Sequence, residues 1–303
     1  MVIDAHRHFW HYNTTEFGWI ADAPLKRDFL PDNCGGMDAC VAVEARQCVE
    51  ETEWLLTLAA HHSFIKGVVG WLPLVAPDIS ERIDAALATH RLRGCSLLVG
   101  LRHVVQDEPD DAFILRPDFI WGVRQLLARD LAYDILVFER HLPNTMRFVD
   151  TLPDDARLVL DHLGKPRDFS SWRRLVRDLA KRENVFCKLS GLVTEIAGMW
   201  NGDPHRFDKV AEPYLETVLE AFGPRRLMFG SDWPVVTVHL SYGVWRGVVE
   251  RFVARLSPDE RDAVMGGNAV SFYKLPACIR DVDARVQVSS ATPWDLSCDL
   301  TVP

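Results

Sequence analysis

Short apolar runs with β-branched residues recur along the chain, and each is followed by a turn signal and then by apolar residues at helical spacing. Runs of this kind read as strands buried on both faces, each feeding a helix. Eight strands are predicted: Val2 to Phe9, Ala39 to Ala45, Gly67 to Leu74, Leu92 to Val99, Ala132 to Phe138, Arg157 to His162, Val185 to Ser190 and Arg226 to Gly230. Between them lie helical stretches at Glu50 to His62, Asp78 to His90, Asp118 to Asp130, Ser171 to Glu183 and Pro213 to Phe222, with a last helix over Ser257 to Leu275. Strand centres fall roughly 25 to 40 residues apart, the length of one β-α-β step, and this alternation forces parallel pairing with helices outside. Eight repeats close a (β/α)8 TIM barrel, whereas an open doubly wound sheet usually stops sooner. The open Rossmann sheet is the competing architecture, and it is weakened by HRHFWH following strand one where a GxGxxG turn would stand.

The pattern assigns residues 1–275 to one barrel and leaves 276–303 as an extension without periodicity. The 303 residues carry a net charge of −9, so the chain has no basic footprint for nucleic-acid phosphates or anionic lipid. The opening MVIDAHRHFW is no signal peptide and no run of about 18 apolar residues occurs, which makes the cytoplasm the expected compartment. Seven cysteines without a CxxC pair fit free thiols in a reducing compartment.

Barrel enzymes place their chemistry at the carboxyl ends of the strands, so a fold expectation becomes a site expectation. Strand one ends in His6-Arg7-His8, and a period of two sends both imidazoles the same way, where they can bind a metal or polarise a carbonyl. Strand six ends in Asp161 and His162, neighbours of which only one is expected to face the barrel axis. Strand eight breaks at Gly230, and Asp232 follows in position to project a carboxylate into the mouth; its bland alternative is an N-cap. Around these the candidate substrate contacts are Glu44, Arg46, Gln47, Trp71, Arg102, His141, Lys188 and Trp233. A mouth that mixes carboxylate, amide and aromatic groups suits a neutral polyhydroxylated ring, whose hydroxyls need donors and acceptors and whose C–H face stacks on an indole.

HxH at the first strand, DHLGKP at the sixth and GSDWP at the eighth together resemble the amidohydrolase superfamily, specifically its sugar-lactone hydrolase branch, over Met1 to Leu275. The resemblance implies water attack on the carbonyl of an aldonolactone, L-fuconolactone to L-fuconate first among them. It makes Asp232 the general base and His6, His8 and His162 hydrogen-bond donors to the oxyanion. Metal-dependent members add a fifth-strand His or carboxylated Lys to the HxH pair and the final Asp. Here strand five reads AYDILVF, so the ligand set is incomplete. His6, His8 and Asp232 could still hold a Zn²⁺ with solvent as the fourth ligand, but the branch implies that no metal is required. Two other readings remain open: a Zn-dependent decarboxylase or other hydrolase of the same superfamily, and a sugar-binding barrel without activity.

Overall fold

In the computed structural model the described residues are 1–33, 36–89, 91, 92, 95–200 and 203–276. Eight parallel strands form the expected barrel: β1 (Ile3–Arg7), β2 (Ala39–Val43), β3 (Ile65–Gly70), β4 (Leu98–Val104), β5 (Ala132–Leu136), β6 (Leu158–Leu160), β7 (Val185–Leu189) and β8 (Leu227–Phe229). Each pairs with the next in chain order. The turn after β8 returns to β1, where the His8 N–H donates to the Trp233 carbonyl at 2.7 Å and the Asp232 N–H to the His6 carbonyl at 2.9 Å. That closure brings the first and last motifs of the sequence together.

Outside the strands lie α1 (Val49–His61), α2 (Ile79–Thr89), α3 (Pro117–Leu127), α4 (Leu142–Val149), α5 (Phe169–Leu179), the short α6 (Leu192–Glu195) and α7 (Ala197–Trp200), α8 (Pro204–Phe222) and α9 (Tyr242–Val253). The stretch predicted as a helix from Pro213 is the second half of α8. Its buried stripe of Phe207, Ala211, Leu215, Val218 and Phe222 runs past the proline unbroken. The last helix is not continuous: α10 (Pro258–Asp262) and α11 (Asn268–Tyr273) are joined by a π-turn at Ala263–Gly267. From residue 277 the proposed extension lies outside the described residues.

Two cores result. Strand residues such as Ala42, Leu101, Ile135, Leu160 and Leu189 pack outward against the helices. Ile3, Ala5, Val41, Val43, Val69, Val99, Val159 and Met228 fill the barrel, with Phe272, Tyr273 and Leu275 in the same cluster. Strand four is a correction. The apolar run Leu92 to Val99 is not the strand, because a two-residue antiparallel pair, Arg91–Leu92 with Cys95–Ser96, precedes it. The barrel strand therefore begins at Leu98, and Arg102 and His103 lie within it instead of beyond its end.

Candidate active site

Two bulges decide which side chains look inward. Asp4 pairs with Cys40 but Arg7 pairs with Ala42, so β1 carries one extra residue. Such a bulge re-aims the side chains after it. Ile3 and Ala5 sit in the inner core, yet His6 and His8 also reach across the barrel, while Arg7 turns outward and its guanidinium lies 4.3 Å from the Trp233 ring centroid. On β4, Val68 faces Leu98 but Val69 faces Gly100, which places Val99 inside, Leu101 outside and Arg102 inside.

His6 is the hub. Its Nδ1 lies 3.1 Å from Lys188 Nζ and 3.4 Å from Asp161 Oδ1; its Nε2 lies 3.2 Å from both His8 Nε2 and Arg102 Nη1. Burial holds its pKa well below the usual imidazole value, and Lys188 adds to that lowering against the opposing pull of Asp161. His6 is therefore neutral. His8 hydrogen-bonds the Val43 carbonyl through Nδ1 at 2.9 Å. A carbonyl only accepts, so that nitrogen carries a proton, and the Nε2 on the other side of the ring faces Asp232 Oδ1 at 3.3 Å.

Asp161 and His162 both face the site, contrary to expectation. β6 ends at Leu160, and His162, Leu163, Gly164 and Lys165 all take positive φ, so strand alternation no longer applies. Asp161 turns down to Lys188 and Arg102, at 3.0 and 3.1 Å. Burial alone would push its carboxyl up, but Lys188, His6 and Arg102 together hold it well below the usual carboxylate range. The His162 ring lies 4.5 Å from that of His6, with Nδ1 2.9 Å from Ser190 Oγ. Burial keeps His162 neutral too. Consecutive left-handed residues, three of them not glycine, represent local strain of the kind that clusters at functional sites.

Gly191 fixes His162 from the other side. It has φ +64°, and a Cβ there would stand 2.5 Å from His162 Cγ and Nδ1. Gly191→Ala should push the imidazole off Ser190 and lower kcat about 10²-fold, the usual cost of one lost transition-state donor. Steady-state kinetics with a crystal structure of the variant would check it; unchanged kcat would show that His162 needs no fixed position.

Asp232 completes the group. Burial would raise its carboxyl, but His162, His8 and Lys165 outweigh burial and hold it below its ordinary value, so it is ionised at neutral pH. Beneath lies a buried charged layer. Arg102 Nε donates to Glu44 Oε1 at 2.8 Å, and Lys188 pairs with Asp134, whose carboxylate accepts from Tyr273 Oη at 2.9 Å.

The other candidates divide. Trp71 is half-buried at the rim, and its Nε1–H donates to His103 Nδ1 at 3.2 Å, while His103 Nε2–H donates to Glu108 at 2.6 Å. Lys188 has no exposed side-chain surface and belongs to the layer below. His141 is buried with both nitrogens engaged: Nδ1 accepts from the Phe138 N–H and Nε2 donates to Asp111. It shapes its turn. Trp233 packs on Phe9, Phe29 and Arg7. Arg46 pairs with Glu16, and Gln47 accepts from the Val104 N–H at 2.9 Å; both tie loops together. These five placements share one cause, that strand-end position does not tell whether a polar side chain is committed to its own scaffold.

A barrel closed by an HxH strand and a final Asp is shared by many hydrolases, and the match of the amidohydrolase family profile to residues 3–275 decides among them. The chain belongs to the amidohydrolase family. This amidohydrolase is 43% identical to an L-fucono-1,5-lactonase of Burkholderia multivorans over 94% of its own length and 98% of the relative's. A second L-fucono-1,5-lactonase, from Burkholderia ambifaria, is 38% identical over 90% and 95%. A crystal structure of an amidohydrolase from Burkholderia multivorans with bound Zn superposes with a TM-score of 0.83 at 43% identity, over 91% of this chain and all of that one.

The ligand atoms of His6, His8 and Asp232 lie within 4.8 Å of one another. The Val43 carbonyl aims the His8 lone pair into that space, the usual outer support of a metal-binding imidazole. The group can therefore hold a divalent metal ion. Among the described residues no helix is long and apolar enough to cross a membrane.

Proposed function

We propose that this amidohydrolase hydrolyses a sugar lactone, L-fucono-1,5-lactone first, to the aldonic acid, using Asp232 as general base and requiring no metal. The carrying observation is the Asp232 carboxylate at the mouth of the barrel, 3.3 Å from His8 Nε2 and 3.9 Å from His6 Nε2, with the His162 ring against that of His6, in a chain 43% identical to an L-fucono-1,5-lactonase.

Asp232 takes a proton from water as its oxygen bonds to the lactone carbonyl carbon. In the tautomer this reading requires, His6 Nδ1 accepts from Lys188 and Nε2 carries the proton, with Arg102 Nη1 turning from His6 to the oxyanion. With the Ser190 hydroxyl donating to Nδ1, His162 carries its proton on Nε2 as well. These two N–H groups and the permanently charged Arg102 guanidinium beside His6 receive the oxyanion. Donors fixed by the scaffold in a buried site need no reorganisation, and a lactone is an easier acyl group to cleave than an amide. Collapse breaks the ring C–O bond, and Asp232 returns its proton to the leaving alkoxide. The product is the hydroxy acid. A Zn²⁺ bound by His6, His8 and Asp232 would supply Lewis-acid polarisation of the same carbonyl.

The test is acid release in a pH-stat from a panel of L- and D-aldonolactones. Turnover of one or more is the expected result, with L-fucono-1,5-lactone the best. Binding without acid release would leave a sugar-binding barrel, and no response to any lactone would remove the reading.

A further inference from the structure

Two desolvated opposite charges face each other at the mouth without a hydrogen bond between them. Lys165, last residue of the left-handed turn that carries His162, has its Nζ 3.9 Å from Glu195 Oε1. Glu195 ends α6, which begins directly after Gly191. Both residues thus stand on the two segments that grip His162. The Glu195 side chain is only 7% exposed, and its Oε2 is buried with no hydrogen-bond partner. Arg167 Nη2 comes within 3.2 Å of that oxygen, but its side chain is 61% exposed and not directed to donate. Among the described residues the Lys165 ammonium makes no hydrogen bond; it rests 5.3 Å from the Phe138 ring centroid. Burial pushes the Glu195 carboxyl up, against the pull of Lys165 and Arg167, and the Lys165 ammonium down, against the pull of Glu195, while the Glu195 Oε2 and Lys165 Nζ are left without a hydrogen bond among the described residues. A buried charge of this kind is costly unless a partner arrives, and native proteins leave few such atoms unsatisfied.

Resting on the lactonase reading, we propose that Lys165 and Glu195 form the subsite that reads one hydroxyl of the sugar lactone, Lys165 donating to its oxygen and Glu195 accepting its proton. A hydroxyl fits because it is donor and acceptor in one atom, and 3.9 Å between the charged atoms leaves the pair free to open around it. A carboxylate ligand does not fit, since Glu195 would repel it. The pair is then a specificity device beside the catalytic imidazole, and it sits outside the reacting group.

The experiment compares the whole enzyme with Glu195→Gln, Lys165→Met and Lys165→Arg on L-fucono-1,5-lactone and its monodeoxy analogues. Glu195→Gln and Lys165→Met should lower kcat/KM on the full lactone about 10²-fold, the scale of a hydrogen bond to a charged group. The wild type should lose a similar factor on one monodeoxy analogue, and on that analogue variants and wild type should agree within about threefold. Lys165→Arg, which keeps the charge and a donor, should retain most activity and guards against mere misfolding. Equal losses on every analogue would assign the pair a structural role and overturn the proposal, as would no loss at all. A wild type inert to every lactone would instead overturn the lactonase reading.

Discussion

Replacing Asp232 by Asn lowers kcat by about 10³-fold or more and leaves the fold intact. Asparagine is isosteric and tolerates the left-handed backbone that Asp232 adopts at φ 58°. The backbone bonds closing the barrel, Asp232 N–H to the His6 carbonyl and Val236 N–H to the Asp232 carbonyl, do not depend on the side chain. Only the proton acceptor is lost, so KM should move little. Steady-state kinetics with a thermal melt measure both effects, and a variant retaining kcat would remove Asp232 from the base role. The pH profile follows in sign. Because the pKa of Asp232 lies below its ordinary 3.8, the active carboxylate is present throughout neutral pH and is lost only as pH falls through that lowered value. An acid limb in kcat/KM near pH 5 would therefore belong to another group.

Lys188→Met produces the largest expected loss of stability. The ammonium is enclosed between Asp134 and Asp161, all three side chains without solvent exposure. Removing it leaves Asp161 with Arg102 and Asp134 with only the Tyr273 hydroxyl in the barrel interior. Breaking a buried pair from one side typically costs about 3 to 5 kcal/mol, because the remaining charge loses its counter-ion where no water replaces it. The consequence should be a strongly lowered Tm or little folded protein, and Lys188→Met combined with Asp134→Asn should recover part of it. Denaturation of the three proteins gives the answer. A single variant that melts like wild type but binds substrate poorly would return Lys188 to the substrate-contact role expected from its strand-end position.

That contrast shows how far residue order carries. Barrel class and motif positions were legible because parallel strands buried on both faces are continuous apolar runs, and because chemistry in this fold gathers where such runs end. The HxH pair was legible from a period of two. What period two could not show was its own interruption. The bulge in β1 puts Ala5 and His6 both inward, and the left-handed turn after β6 lets Asp161 and His162 both face the site. Each depends on pairing register or backbone sign, which adjacent residue types do not encode. Strand four differs from expectation for a related reason: the apolar end of Leu92 to Val99 opens the barrel strand at Leu98, while its first part forms a separate two-residue pairing. Lys165 and Glu195 are not legible from residue order because neither ends a strand. The only local trace was the Lys of DHLGKP, whose meaning depends on a helix start some 30 residues later.

The most direct measurement is turnover of L-fucono-1,5-lactone as a function of bound metal in one preparation, stripped by chelation, assayed for metal content and then reloaded with Zn²⁺. An Asp232 base with His6, His162 and Arg102 at the oxyanion predicts full acid release from metal-free protein and little change on reloading. Activity that disappears with the metal and returns in proportion to bound Zn²⁺ would contradict it.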